Sequence, residues 1–325
     1  MSSPWVRGAY GPFQQPVEDL AASVPGYRNV YFVDGTFGSD NNPGLSVNTA
    51  FATVQQALDT VQDEDTIIVM RGSYDEALTT GQLIATANMA AGRGRYVNLI
   101  GSTQGRRPYD APQLYNVSGS TATIRMRSPG WRVSGFRLVG DSGSPKCMTL
   151  ELDQAGSTAD TDWAPGTTVD NCVFYGAVGT ASGIDFQGAP PDIRIVNNVF
   201  QLFGTASYPC IQCSVSSTAQ PYRCEVTDNV FMDSDEYINM NPRGFNSSHI
   251  LRNTFDTGHT NTVTDYVDLT GGNDNVVCFN VFPGDYSNAG GYTAGTGDTW
   301  VGNFADDTAE GEVGDNGITT ANPAA

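Results

Sequence analysis

Lysine and histidine are nearly absent from this sequence. Lys146 is the single lysine, and His249 and His259 are the only histidines, whereas glycine contributes 37 residues. Glycine and the abundant short polar residues favour turns and strands, which argues against a helical fold. The net charge of −19 excludes a general affinity for nucleic acid or anionic membranes. An anionic polysaccharide would therefore need a local cluster of arginines or a bridging divalent cation.

The sequence also has few cysteines and no long apolar run, so neither a disulfide scaffold nor a membrane span is expected. Six cysteines in 325 residues are too dispersed for a disulfide scaffold, so buried free thiols are expected. Cys210 and Cys213 form a lone CxxC without a second pair or a nearby histidine, so we predict no metal site there. Residues 1–7 contain no basic region followed by an apolar run, and neither Sec export nor a membrane span is predicted.

A degenerate repeat is the strongest feature of the sequence. Six segments share an apolar residue, two variable positions, usually Asn, one further variable position and Phe. The last of them, Trp300 to Ala305, is degenerate, and Val133 to Leu138 is an earlier half-match. The Phe residues follow one another at intervals of 26, 31, 24 and 27 residues. Constant strands separated by loops of variable length produce such intervals, as in a solenoid.

The repeat predicts an all-β fold, a right-handed parallel β-helix with one coil per repeat. Neighbouring coils of such a solenoid lie about 4.8 Å apart, so equivalent side chains stack. We predict a phenylalanine ladder and an asparagine ladder with structural roles, Cys172 taking the asparagine position in the first of these coils. The predicted ladders are Phe174, Phe200, Phe231, Phe255 and Phe282, and Asn198, Asn229, Asn253, Asn280 and Asn303.

The open end of a solenoid needs a cap, and the sequence supplies a candidate. Phe51, Val54, Leu58 and Val61 fall at helical spacing and predict a short amphipathic helix within residues 48–62 that plugs the first coil. Residues 67–69 are predicted to start the first strand.

A series of short motifs surrounds the predicted capping helix. They are Tyr31-Phe32-Val33-Asp34-Gly35, Gly38-Ser39-Asp40, Asn42-Pro43-Gly44, Phe51-Ala52-Thr53-Val54-Gln55-Gln56-Ala57, Asp65-Thr66-Ile67-Ile68-Val69 and Gly72-Ser73-Tyr74. In these motifs the region closely resembles the start of the pectate-lyase-like β-helix superfamily, which is also common in secreted surface proteins and phage tailspikes. One departure is Glu64, which stands where a glycine usually precedes Asp-Thr. The resemblance implies the fold and leaves the function open, because the superfamily includes lyases, hydrolases, epimerases and inert adhesins.

Three regions are predicted along the chain: a docking arm in residues 1–30, the β-helix in residues 31–305 and an acidic tail in residues 306–325. The arm is rich in proline and aromatic residues that normally become buried against a partner. A long excursion in residues 101–119 carries side chains suited to a glycan or a partner protein, although a solvated loop is the favoured interpretation. The proposed contact residues are Trp5, Tyr10 and Phe13 in the arm, and Arg106, Arg107, Tyr109 and Tyr115 in the excursion.

Polar residues that follow the Phe column are the candidate catalytic groups. They are Asp233, Asp235 and Glu236 after Phe231, and Asp256 and His259 after Phe255. Stacking would bring carboxylates to within about 5–10 Å, the range that glycosidases use. A calcium ion would suit the same carboxylates, and a solvated acidic edge without function is the third interpretation. No other cofactor or metal is expected.

Lyase chemistry finds thin support in the sequence. β-Elimination needs a base and a positive charge beside the substrate carboxylate, but Lys146 stands alone and the arginines follow no column of the repeat. The main functional prediction is therefore a non-catalytic bacteriophage virion surface protein, a trimer made in the host cytoplasm that attaches to capsid or tail proteins and binds host polysaccharide. The alternatives are a polysaccharide hydrolase or lyase, virion-borne or extracellular, and a cell-surface adhesin.

Overall fold

The computed structural model describes residues 29–79, 94–102, 110–117, 122–140, 146–151, 164–176, 181–203, 208–214, 220–256, 263–283 and 291–305. These residues form a right-handed parallel β-helix, as predicted. Each full coil adds one strand to each of three parallel sheets, here called A, B and C in the order in which the chain reaches them. Residues 1–28 of the predicted docking arm and the predicted acidic tail lie outside the described residues, and Val30, assigned to the arm, is the first residue of β1 in the β-helix.

The strands are short because each coil turns sharply between sheets. Sheet A contains β1 (Val30–Val33), β2 (Thr66–Val69), β5 (Asn98–Gly101), β8 (Arg132–Ser134), β11 (Thr168–Asp170), β14 (Arg194–Val196), β17 (Glu225–Thr227), β20 (His249–Leu251), β23 (Val276–Cys278) and β26 (Thr299–Val301). Sheet B contains β3 (Ser73–Asp75), β6 (Gln113–Tyr115), β9 (Arg137–Gly140), β12 (Val173–Gly176), β15 (Val199–Gln201), β18 (Val230–Met232), β21 (Thr254–Phe255), β24 (Val281–Phe282) and β27 (Phe304–Ala305). Sheet C contains β4 (Leu78–Thr79), β7 (Ile124–Met126), β10 (Lys146–Glu151), β13 (Ser182–Gln187), β16 (Ile211–Gln212), β19 (Glu236–Asn239), β22 (Asp265–Asp268) and β25 (Tyr292–Thr293).

The capping helix is shorter than its apolar stripe predicts. The helix α1 spans Val54–Thr60, and a separate 3-10 turn spans Val47–Thr49. Thr53 caps α1, since its hydroxyl accepts a hydrogen bond from the Gln56 N–H (3.2 Å). Phe51 is buried in the same core but lies outside the helix, in an extended bridge to Val33. The prediction for residues 67–69 also needs correction, because they belong to β2 and β1 precedes them.

The phenylalanine column is a continuous aromatic stack inside the solenoid. Ring centroids of successive members lie 4.6, 4.9, 4.8 and 4.9 Å apart from Phe174 to Phe282. This spacing is that of neighbouring strands. The degenerate last repeat keeps the register, because Trp300 pairs with Val277 and Ala305 with Phe282.

The asparagine column is a hydrogen-bonded ladder at the turn between sheets A and B. Each side-chain oxygen accepts from the backbone N–H and the amide of the preceding member, as Asn229 Oδ1 does from Asn198 N (2.9 Å) and Nδ2 (3.1 Å). Cys172 starts the column, and its N–H donates to Asn198 Oδ1 (2.9 Å). The ladder satisfies buried polar groups that a turn between two buried strands would otherwise leave unpaired.

A second polar ladder, which the sequence analysis missed, lies at the turn between sheets C and A. The Ser248 hydroxyl accepts from Cys224 N (2.9 Å), Asn275 Oδ1 from Ser248 N (3.0 Å) and Asp298 Oδ1 from Asn275 N (2.9 Å). Its members differ in residue type, so no repeated letter marks the column.

All six cysteines are free and buried. Burial raises the pKa of the Cys172 thiol to about 12, which keeps the thiol protonated.

Candidate active site on sheet C

The side of sheet C that points away from the core, here called the site face, is lined by polar side chains. Strand register places one residue from each coil in a single row along the axis. Inward-pointing aliphatic residues alternate with this row and belong to the core. The row consists of Arg125, Thr149, Asp185, Gln212, Asn239, Asp268 and Thr293.

Glu151 holds two arginines at one end of the site face. Its carboxylate accepts from Arg125 Nε (2.7 Å) and from Arg127 Nε (2.6 Å), and also from the Thr149 hydroxyl (2.9 Å). The carboxylate is only 4% exposed. Burial alone would raise the pKa of Glu151, but hydrogen bonds and charges from the two arginines outweigh burial and hold this pKa below its ordinary value. Glu151 therefore stays ionised and fixes both guanidinium groups.

Asp185 holds the single lysine on the next coil. Asp185 is fully buried and forms an ion pair with Lys146 Nζ. Its carboxylate also accepts from the Ser214 hydroxyl (2.7 Å), Ser214 N (3.0 Å) and Gln187 Nε2 (3.1 Å). Lys146 Nζ lies 3.3 Å from the Ser214 hydroxyl, which is part of an exposed residue. The ammonium group is thus directed to the side of sheet C where the chain meets solvent.

Arg125, Arg127 and Lys146, here called the cationic cluster, all bind buried carboxylates at sheet C. Two of these cations share Glu151, and the third pairs with Asp185. Arginines of sheet A and its turns are instead matched one to one with carboxylates, as in Arg132–Asp170, Arg194–Glu225, Arg223–Asp192 and Arg252–Asp228. The cationic cluster thus places two guanidinium groups around a single carboxylate, an arrangement that the four pairs of sheet A do not have.

Towards the C-terminal coils, the polar groups of the site face are carboxylates and side-chain amides. Asn239 Nδ2 donates to Asp265 Oδ2 (3.0 Å), and Asn241 Nδ2 donates to Asp268 Oδ2 (3.2 Å). Burial and the neighbouring charge of Asp268 raise the pKa of Asp265. These four residues, here called the acceptor end, present carboxylate and amide oxygens where the cationic cluster presents N–H groups.

The predicted catalytic carboxylates are divided between two places. Asp233 and Asp256 meet at the turns that follow sheet B, where Asp256 accepts from Asp233 N (2.9 Å) and from the Tyr237 hydroxyl. Asp235 is tied into the backbone there, its N–H donating to Phe203 O (3.0 Å). Glu236 is buried at the start of β19 and pairs in register with Asp265. The structure thus brings Asp233 and Asp256 together, whereas Glu236 lies on β19 of sheet C.

Most of the predicted contact residues lie outside the described residues, namely Arg106, Arg107 and Tyr109 of the excursion and Trp5, Tyr10 and Phe13 of the arm. The candidate catalytic residue His259 also lies outside them. Tyr115 lies on β6 in sheet B, away from the site face. These assignments remain predictions.

The cationic cluster is absent from the predicted site residues, because those were chosen from the turns that follow the Phe column. Lys146 does not stand alone, since it binds Asp185, and Arg125 and Arg127 bind Glu151 on the neighbouring strand. Alternation of polar and apolar residues in Ile124–Met126 and in residues 148–151 indicates that Arg125, Thr149 and Glu151 share one face, but Lys146 falls outside this alternation.

Metal binding and membrane spanning can be assessed over the described residues. No group of three or more His, Cys, Asp or Glu side chains in these residues is placed to hold a metal ion. Within the same ranges, no helix has the length and apolar character needed to cross a membrane.

Comparison with known proteins supports the fold. No protein-family model and no curated protein matches the sequence. Among solved structures, the chain is similar to an alginate lyase from Paenibacillus sp. str. FPU-7, with a TM-score of 0.50 and 15% identity over 78% of this chain and 92% of that one. It is also similar to a rhamnogalacturonan lyase (TM-score 0.49, 15% identity, 86% and 74% covered) and to a pectate lyase (TM-score 0.42, 12% identity, 95% and 81% covered). At these identities the likeness shows the fold alone, a parallel β-helix.

Proposed function

We propose that this protein is a polysaccharide lyase that binds a uronate-containing polysaccharide along the site face of sheet C. The observation that carries the proposal is the cationic cluster. In a strongly acidic protein, Arg125 and Arg127 bind Glu151 on β10, Lys146 binds Asp185 on the neighbouring strand β13, and both carboxylates are buried. Guanidinium groups bind carboxylates through paired N–H bonds, so a uronate is the sugar that matches this surface.

The cluster contains the two elements that β-elimination requires. Arg125 and Arg127 would neutralise the carboxylate of the bound uronate and stabilise the enolate that forms when C5 loses its proton. Lys146 would act as the base in its neutral form, after its ammonium group has given a proton to water, and Asp185 would stabilise the ammonium group that forms when the amine takes the C5 proton. The C5 electrons form a double bond to C4, the bond from C4 to the glycosidic oxygen breaks, and that oxygen takes a proton from water as it leaves.

Hydrolysis by a carboxylate pair fits this cluster less well. Glu151 accepts four hydrogen bonds from Arg125, Arg127 and Thr149. Asp185 accepts three, in addition to its ion pair with Lys146. The oxygens of both carboxylates are therefore already engaged in hydrogen bonds and ion pairs. A glycosidase instead needs one carboxyl group to protonate the leaving group and another to act on water or on the sugar.

Structural relatives of this fold include proteins described as lyases of acidic polysaccharides, but the proposal depends on the side chains of the cationic cluster. Attachment to a virion remains a prediction from the sequence, since no contact in the described residues favours it. A lyase carried by a virion would be compatible with both the proposed activity and the predicted attachment.

The proposal is tested by incubating the full chain with a panel of uronate-containing polysaccharides. β-Elimination leaves an unsaturated uronate that absorbs ultraviolet light, so its formation distinguishes elimination from hydrolysis, which yields reducing ends without this absorbance. Lys146→Arg is the informative variant, because arginine keeps the ion pair with Asp185 but its guanidinium cannot act as the base. We expect kcat to fall by about 10²- to 10⁴-fold.

A matched control is Arg252→Gln, which removes an exposed cation of the A–B turn. This variant should retain wild-type kcat and KM, whereas Arg127→Gln should lower kcat/KM by about 10- to 100-fold through a lost charged hydrogen bond. If reducing ends form without an unsaturated product, the reaction is hydrolysis and not elimination. Unchanged kcat in Lys146→Arg would remove Lys146 from the reaction, and inactivity on every uronate polymer would overturn the proposal.

A further inference from the structure

Lys146 and Ser214 contact each other at the solvent side of sheet C. Lys146 Nζ donates to the Ser214 hydroxyl over 3.3 Å, and this hydroxyl donates to Asp185 Oδ2 (2.7 Å). The Ser214 N–H also donates to Asp185 Oδ1 (3.0 Å), so the residue is held at two points. Asp185 Oδ2 has two further partners, Lys146 and Gln187 Nε2 (3.1 Å). The exposed Ser214 hydroxyl can therefore turn to a bound sugar without leaving that oxygen unpaired.

We infer that Ser214 gives the leaving glycosidic oxygen its proton, in place of water, and that Lys146 replaces the proton on Ser214. The inference rests on the proposed function, because it concerns the same elimination. It assigns a second catalytic residue to the site, and it determines which uronates the site can cleave.

The proposed relay returns each group to its starting state. Neutral Lys146 takes the C5 proton, and the electron pair of the C5–H bond becomes the C4–C5 double bond. The electron pair of the C4–O bond goes to the glycosidic oxygen, which takes the Ser214 proton. Lys146 then passes one ammonium proton to the Ser214 oxygen and is neutral again. The net transfer is one proton from C5 to the leaving oxygen.

Ser214 suits this role better than two other hydroxyls on the neighbouring strands. Ser182 pairs in register with Lys146 but is fully buried, so its hydroxyl cannot reach a sugar. Thr149 is also buried, and its hydroxyl donates to Glu151. Ser214 combines exposure with direct contact to the base, which a proton donor for this reaction needs.

Contact between the base and the proton donor also restricts the stereochemistry of the substrate. Reacting atoms approach to about 3–3.5 Å, so groups that act on opposite faces of a sugar ring lie roughly 6–7 Å apart. Lys146 Nζ and Ser214 Oγ are 3.3 Å apart and therefore act on one face of the ring. The C5–H and C4–O bonds must then lie on that same face. D-Mannuronate and D-glucuronate meet this condition, whereas L-guluronate, L-iduronate and D-galacturonate do not.

Two homopolymers that differ only in configuration at C5 test the stereochemical part. We expect the full chain to cleave poly-D-mannuronate with kcat/KM at least about 10²-fold above that for poly-L-guluronate, because the second polymer loses the acid catalyst. Equal rates for these epimers, or elimination confined to polymers of L-guluronate or D-galacturonate, would overturn the inference and leave the lyase intact. Absence of unsaturated product from every uronate polymer, those of D-glucuronate included, would instead overturn the proposed function.

Ser214→Ala separates proton donation from support of Lys146. With a polysaccharide, whose leaving group is an alkoxide, we expect kcat to fall by about 10²- to 10⁴-fold. A synthetic uronate that carries a nitrophenyl group on O4 releases a phenolate, which needs no proton. Ser214→Ala should cleave this compound at the wild-type rate, whereas Lys146→Arg should be slow on both substrates.

Two variants control for the loss of a serine side chain. Ser214→Thr keeps the hydroxyl and should retain activity on the polysaccharide. Ser73→Ala removes an exposed hydroxyl on β3 of sheet B and should leave both rates unchanged. Unchanged polysaccharide cleavage by Ser214→Ala, or an equal loss with both leaving groups, would remove Ser214 from proton transfer and overturn the relay.

Discussion

Replacement of Asn253 by alanine tests the asparagine ladder at its centre. Asn253 Oδ1 accepts from Asn229 N (2.9 Å) and Nδ2 (3.0 Å), and its amide donates to Val226 O (2.8 Å) and Asn280 Oδ1 (3.0 Å). The residue is fully buried, so water cannot replace these four bonds. In the variant, the Asn229 N–H loses its acceptor Asn253 Oδ1, and the Val226 carbonyl loses its donor Asn253 Nδ2. Each unsatisfied buried group costs about 1–3 kcal/mol, so we expect the free energy of unfolding to fall by about 4 kcal/mol in total.

Urea denaturation followed by circular dichroism measures this loss, with the slope of the transition checked against wild type. Asn41→Ala is the control, because Asn41 is exposed and its replacement should change the free energy of unfolding by less than about 0.5 kcal/mol. If Asn253→Ala costs no more than Asn41→Ala, the ladder does not stabilise the solenoid and the reasoning is refuted.

Three further changes test local features of the same structure. The folded pKa of Glu151 is lowered, so its ionised carboxylate stabilises the fold fully above the ordinary pKa of 4.5, and this stabilisation is lost as the pH falls below it. Glu151→Gln should therefore make the free energy of unfolding depend less on pH in the acid range. An unchanged pH dependence would contradict the role of Glu151 in holding Arg125 and Arg127. Glu64 has φ 70°, so Glu64→Gly should stabilise by about 0.5–1 kcal/mol while Gln62→Gly destabilises, and thermal melts that reverse this order would remove the strain argument. Ser182, fully buried on β13 with its hydroxyl unpaired, should accept alanine with little loss or a small gain in melting temperature, whereas a loss above about 2 kcal/mol would indicate an unrecognised partner.

The fold could be predicted because its determinants repeat. Inward side chains such as Phe200 and Phe231 stack on identical neighbours, so each coil selects the same residue at the same position. The asparagine ladder follows the same logic, since each amide needs another amide as its partner. Even the degenerate repeat at Trp300 kept its register, because the pattern constrains the core and not the loops.

The site could not be predicted in the same way, because its residues do not repeat. Lys146 and Asp185 lie on adjacent strands and differ in residue type. Because the loops between coils also vary in length, no regular spacing in the sequence predicts their contact. The carboxylates singled out after the Phe column, such as Asp256, were instead placed where they bind backbone N–H groups of a turn. Helix bounds were too long for a related reason: Phe51 satisfies the apolar stripe but packs from an extended segment.

The most direct test of the central claim is a crystal structure of the Lys146→Arg variant with a uronate-containing oligosaccharide. We predict that the sugar chain lies along sheet C, with one carboxylate within hydrogen-bonding distance of Arg125 or Arg127 and C5 of that uronate facing residue 146. An oligosaccharide bound on the outer side of sheet A or sheet B, with the cationic cluster untouched, would contradict the claim.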